Sequence, residues 1–149
     1  MSKSYDPRMH SAEHILNQTM VRLFNSGRSF SAHIEKKKSK CDYHFSRNLT
    51  ADELAVIENK VNEIILADMK VSEEFYTREE AQNFISLEKL PGDAGDKIRI
   101  IKIGDYDTCP CRGEHIKSTA EIGGFKIISS DFNEGVLRVR FKLADNDGE

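Results

Sequence analysis

The sequence predicts an α+β fold, with an antiparallel or mixed sheet and helices packed on one face as a two-layer sandwich. Three observations carry this reading. Apolar residues at helical spacing dominate the early part of the chain, strand-like segments cluster late, and no internal repeat or low-complexity linker separates them. Residues 1–149 therefore read as a single domain, long enough to bury a real core.

The elements follow in order. From His10 to Phe24, the residues Ile15, Leu16, Met20, Leu23 and Phe24 recur at helical spacing, and Asn25-Ser26-Gly27 ends the run. Residues 29–46 read as a hairpin of half-exposed strands, with Tyr43 and Phe45 alternating with polar neighbours. A second helix opens on a capping box, Thr50 with Glu53, and lines one face with Leu54, Ile57, Val61, Ile64 and Ile65. A second box, Thr77 with Glu80, predicts a short helix through Asn83, after which "LPGDAG" breaks the chain. "KIRIIKIG", "FKIISSDF" and "VLRVRFKL" then read as strands, the last two joined by a turn around "NEG".

Composition narrows the function classes. Hydrophobic content of 38% against 32% charged describes an ordinary globular chain, and the apolar runs are too short to span a membrane. The N-terminus lacks the apolar core of a signal peptide. Three cysteines, an odd number, with Cys109 and Cys111 too close for an easy mutual bridge, point to a reducing, cytoplasmic compartment. A net charge of −3 argues against indiscriminate nucleic-acid binding but permits a local basic patch.

The reactive side chains are concentrated at two places. His10 and His14 lie one helical turn apart and project from one face, where they could share a metal ion; two polar surface histidines would look the same. Cys111 and His115, in Cys-x-x-x-His spacing, add a thiolate and an imidazole. The four together make a complete ligand set that suits tetrahedral zinc. Cys109 competes with Cys111 for the thiolate role, but Pro110 makes joint ligation awkward, and Cys111 is preferred. "HSAEH" is also a literal His-x-x-Glu-His, the inverted zinc-peptidase pattern, with Glu13 placed as a base. That reading needs a distal carboxylate ligand and leaves Cys111 and His115 without a role. No Gly-x-x-x-x-Gly-Lys-Ser/Thr loop is present, so no ATP site is expected.

"HSAEH", followed far downstream by "YDTCPCRGEHIKSTAEIGGFKI", resembles the editing domain shared by alanyl- and threonyl-tRNA synthetases, and the free-standing AlaX proteins in particular. The similarity covers nearly the whole chain, including the helix "NLTADELAVIENKVNEII". It implies His10, His14, Cys111 and His115 as Zn2+ ligands, and hydrolysis of mischarged aminoacyl-tRNA, above all seryl-tRNA(Ala) and also glycyl-tRNA(Ala). The "RGE" between Cys111 and His115 is nearer the threonyl form, whereas "STAEIGGFKI" is nearer the alanyl form, so seryl-tRNA(Thr) stands as an alternative substrate. A zinc- and tRNA-binding module without hydrolysis is a further alternative.

The same resemblance, through gap-free spacing, places Ser31 opposite the substrate hydroxyl; an exposed strand serine is the competing reading. Gly113, with Gly123 and Gly124, would let backbone approach the ribose or would serve only as turns, the reading preferred. For tRNA, the run Lys36, Lys37, Lys38 and Lys40 is the best phosphate tether, although such runs are also solvated tips. Arg138, Arg140 and Lys142 share a strand face as a second candidate.

Overall fold

The computed structural model describes residues 6–35, 37–81, 97–111 and 113–144. Its first helix begins earlier than the apolar pattern alone indicates. α1 spans Pro7–Phe24, capped by Asp6, whose Oδ1 accepts the Arg8 N–H at 2.9 Å. Pro7 suits the first turn because its φ is preset and no intrahelical donor is needed there. Asn25, left-handed with φ 56°, closes the helix by donating its N–H to the Val21 carbonyl at 2.9 Å. α2, Ala51–Leu66, opens on the expected box. Thr50 Oγ1 accepts the Glu53 N–H at 3.1 Å, and the Glu53 carboxylate accepts the Thr50 N–H at 2.9 Å.

The strands are β1 (Ser31–His33), β2 (Ser39–His44), β3 (Val71–Thr77), β4 (Lys97–Ile103), β5 (Asp107–Pro110), β6 (Phe125–Asn133) and β7 (Val136–Leu143). They form two open sheets, ordered β1-β2-β7-β6 and β3-β4-β5, and every pairing is antiparallel. The α+β class holds, with antiparallel pairing throughout and the strands divided between two sheets. β6 and β7 turn through Glu134 and Gly135, whose φ values of 47° and 83° match the right-handed twist of the flanking strands. α3 is the single turn Arg78–Ala81 on the Thr77–Glu80 box; the expected continuation to Asn83 and the "LPGDAG" break lie outside the described residues.

Three expectations shift. Tyr43 is fully buried, as is Cys41, because β2 is an inner strand between β1 and β7. Leu23, counted in the apolar stripe of α1, stays 41% exposed. β3 and β5 were not expected at all. The main core joins Met9, Ile15, Leu16 and Met20 of α1 to Ile57 and Val61 of α2, Tyr43 of β2 and Leu137, Val139 and Phe141 of β7. Each such side chain contributes about 1.5–3 kcal/mol of burial.

A buried brace then positions the segment after the cysteines. Thr119 opens the 3-10 turn Thr119–Ile122, and its hydroxyl faces the Ile64 and Ile65 carbonyls at the end of α2, at 3.0 and 3.1 Å. Thr119 Oγ1 also accepts the Met69 N–H at 2.8 Å. The "STAEIGG" motif thereby fixes the chain leaving His115 against the helical layer.

Candidate metal centre and adjoining cavity

Helical geometry puts His10 and His14 on one face of α1, and the chain leaving β5 brings Cys111 and His115 against it. One ligand atom from each of these four residues lies within 4.8 Å of the others. Cys111 Sγ is 3.4 Å from His10 Nε2 and 3.5 Å from His115 Nε2. The His10 ring lies 5.0 Å from His14 and 4.3 Å from His115, centroid to centroid.

The outward nitrogens of two of these rings are hydrogen-bonded. His10 Nδ1 faces the Glu114 carbonyl at 3.2 Å, and His115 Nδ1 faces Ser11 Oγ at 2.8 Å. Because a carbonyl only accepts, Nδ1 of His10 carries a proton. His14 Nδ1 faces Asp107 Oδ2 at 3.5 Å, a close polar contact longer than an ordinary hydrogen bond. The donor set, one sulfur and three imidazoles, with the outward nitrogens of His10 and His115 hydrogen-bonded and that of His14 facing a carboxylate, fits a zinc ion.

The charges follow from burial and these contacts. Burial opposes the Cys111 thiolate, but hydrogen bonds with His10, His115 and His14 outweigh it and draw the pKa to about 3. Burial also opposes the His14 imidazolium, yet Asp107, Cys111 and Glu13 raise its pKa to about 9. For His115, burial exceeds the help from Cys111, and the neighbouring His14 and His10 lower it further, to about 4. Cys109 lies on β5, outside this group, with Sγ against the Pro110 carbonyl at 3.4 Å. Burial pushes its thiol up to about 12.

A cavity of about 810 Å³ adjoins the cluster, walled by His10, His14 and Asn17 of α1, by residues 27–30 and by residues 108–110. At its edge Phe30, 48% exposed, stacks on His44 with centroids 4.1 Å apart and planes 13° apart. Glu13 also lines the cavity. Its Oε1 is 3.9 Å from both His10 Nε2 and His14 Nε2, while Oε2 accepts from Asn17 Nδ2 at 2.7 Å.

The remaining expected residues fall elsewhere. Ser31 begins β1, exposed and paired with Asp42; its neighbours Ser29 and Phe30 line the cavity. The Gly113 carbonyl accepts from Arg99 Nη1 at 2.8 Å, as the Cys111 carbonyl does at 2.9 Å, so one guanidinium shapes the loop between the two downstream donors. Lys36 lies outside the described residues. Lys37 and Lys38 are exposed before β2, and Lys40 stands opposite Arg140. Lys38, Lys40 and Arg140, with His33 and Glu35, border a second hollow of about 360 Å³. Arg138 is paired with Asp42 at 2.8 Å, and Arg140 with Asp131.

Sequence reasoning missed Asp107, Arg28 and Ser11, which support the cluster, and the Phe30–His44 stack. Asp107 stands in "YDTCPC", but an aspartate at the start of a short strand carries no local mark of burial.

Two antiparallel sheets, a helical layer and a His/Cys cluster beside a cavity define a small α+β domain with a candidate metal-binding group. Residues 98–140 match the family described as the threonyl and alanyl tRNA synthetase second additional domain. It is 35% identical over 134 residues to an alanine–tRNA ligase of Fervidobacterium nodosum and 33% identical over 134 residues to one of Coxiella burnetii, in each case across 89% of this chain. It is 31% identical over 142 residues to that of Methanopyrus kandleri, across 93% of this chain. The chain spans only 16% of the length of these relatives. No helix among the described residues is long and apolar enough to cross a membrane.

Proposed function

We propose that this domain hydrolyses mischarged aminoacyl-tRNA in the cytoplasm, with seryl-tRNA(Ala) as its main substrate and glycyl-tRNA(Ala) as a second, and with Zn2+ held by His10, His14, Cys111 and His115. The observation that carries the reading is the convergence of those four donors, from distant parts of the chain, beside a cavity of about 810 Å³. The chemical need is plain. A pocket that admits alanine rejects serine or glycine weakly, because one small group is worth only about 1–3 kcal/mol, so a second hydrolytic site must remove the error. Similarity to alanine–tRNA ligases favours tRNA(Ala) over tRNA(Thr) as the carrier. A peptidase of the inverted motif would need a distal carboxylate, whereas here Cys111 and His115 complete the group beside Glu13.

Zinc in this donor set would supply Lewis acidity toward the ester carbonyl or hold the wall of the cavity rigid. The protein's own groups do the rest. The engaged Nδ1 atoms of His10 and His115 hold their rings in place without reorganisation. The Phe30–His44 stack offers a flat apolar face to the base that ends the tRNA. Ser31 would hydrogen-bond the seryl hydroxyl if the β1 end closes over the bound ester, and Gly113 would sit against the ribose. Lys36, Lys37, Lys38 and Lys40 would hold the acceptor-stem phosphates.

The test is release of serine, glycine and alanine from the respective aminoacyl-tRNA(Ala), and of serine from seryl-tRNA(Thr), by zinc-loaded protein and by the Cys111→Ala, Cys109→Ala and Ser31→Ala variants. Serine release should be lost with zinc in Cys111→Ala and retained in Cys109→Ala, with alanyl-tRNA spared throughout. Ser31→Ala should slow seryl more than glycyl release. Binding of intact mischarged tRNA without hydrolysis would replace this reading with that of a binding module.

A further inference from the structure

His14 is the most enclosed of the four clustered donors, with a side chain 4% exposed, and its Nδ1 is the single buried side-chain nitrogen or oxygen among the described residues without a hydrogen-bond partner. An orphan of that kind is costly, so what faces it matters. It faces Asp107 Oδ2 at 3.5 Å, and the Asp107 side chain is 0% exposed. A carboxylate so placed must be compensated. Arg28 forks onto it, Nη1 to Oδ1 at 2.7 Å and Nη2 to Oδ2 at 3.2 Å, and Gln18 Nε2 adds a second donor to Oδ1 at 2.8 Å. Oδ1 is thus doubly occupied. Oδ2 has one long bond and a lone pair to spare, and the polar atom beside it is His14 Nδ1.

We propose that Asp107, fixed by Arg28 and Gln18, is the positioning residue of the metal centre: it holds the proton of His14 on Nδ1 and so commits Nε2 as the ligand atom. This inference rests on the ligand set of the proposed function and extends it to the network behind the ligands. His10 and His115 have their Nδ1 atoms against neutral oxygens, the Glu114 carbonyl and the Ser11 hydroxyl; the Nδ1 of His14 is backed by a carboxylate, which raises ligand basicity as well as setting ring direction. Because Arg28 also lines the cavity, the same network ties residues 27–30 to the metal ligand.

A purely structural ion pair between β5 and the loop after α1 would use the same contacts, and two variants separate the roles. Asp107→Asn keeps size and an oxygen but removes the charge, and it strands the Arg28 guanidinium. Asp107→Asn combined with Arg28→Gln removes both charges. The measurements are Zn2+ affinity, by competition with a chromophoric chelator, and the melting temperature of the metal-free protein. Zn2+ binding should weaken about 10–100-fold in both variants. The melting temperature should fall in the single variant and recover in the double. Affinity that recovers along with melting temperature, or that never changes, overturns the role of Asp107 while leaving the ligand set intact. Failure of the unaltered protein to bind Zn2+ overturns the ligand set and this role together.

Discussion

Replacing Asn17 with leucine keeps the shape of a buried side chain and removes three hydrogen bonds at once. Asn17 is 3% exposed. Its Oδ1 accepts from Tyr43 Oη at 2.8 Å and from the Ser29 N–H at 3.1 Å, and its Nδ2 donates to Glu13 at 2.7 Å. One amide therefore joins α1, β2 and the wall of the cavity. The losses are unequal. Tyr43 is fully buried and its hydroxyl has no route to water, so it carries the whole desolvation penalty of about 1–3 kcal/mol. Ser29 is half-buried and Glu13 reaches the cavity, so water replaces part of what they lose. Asn17→Leu should cost about 2–4 kcal/mol in total. Tyr43→Phe alone removes the donor and leaves Asn17 Oδ1 with Ser29, for about 0.5–1.5 kcal/mol. The double variant strands neither partner, so its cost should fall short of the sum by about 1 kcal/mol or more. Urea unfolding of the four proteins, with the m-value checked for constancy, measures this directly. Additive costs would refute the claim that the Asn17–Tyr43 bond joins these elements.

Two further predictions concern charge. Changing Lys37, Lys38 and Lys40 to glutamine should weaken binding of every tRNA alike and reduce the salt slope by about one for each phosphate no longer neutralised. Changing Arg138 and Arg140 should do less, since Asp42 and Asp131 already engage them; an unchanged slope for the lysine variant would move the tRNA path off this hairpin. At the start of α2, Arg47 and then the Thr50 N–H hold Glu53 at a pKa of about 2 against an ordinary 4.5. A depressed carboxylate stabilises the fold fully above the ordinary value and loses that contribution as pH falls through the folded one. The stability advantage of the unaltered protein over Glu53→Gln, followed by thermal melts, should therefore shrink between about pH 4.5 and pH 2; an advantage constant across that window would contradict the assignment.

Features that depend on a few neighbouring residues were legible in the sequence. Helical spacing, the Thr50–Glu53 box, the Asn25 stop and the Glu134–Gly135 turn each rely on partners at most one or two turns away. The pairing of His10 with His14, and of Cys111 with His115, belongs to the same class of local geometry. β3 and β5 escaped notice for a physical reason: β3 is an edge strand with exposed Glu73, Glu74 and Phe75, so it lacks clean alternation, and β5 has only four residues. Which side chains meet across the chain is settled by packing instead. Whether Cys109 or Cys111 faces the histidines depends on how the chain leaves β5. Whether Asp107 is a surface carboxylate or a buried partner of His14 and Arg28 depends on α1 and the loop behind it closing over that strand. Burial and charge compensation are properties of the packed interior, and no local run of residues carries them.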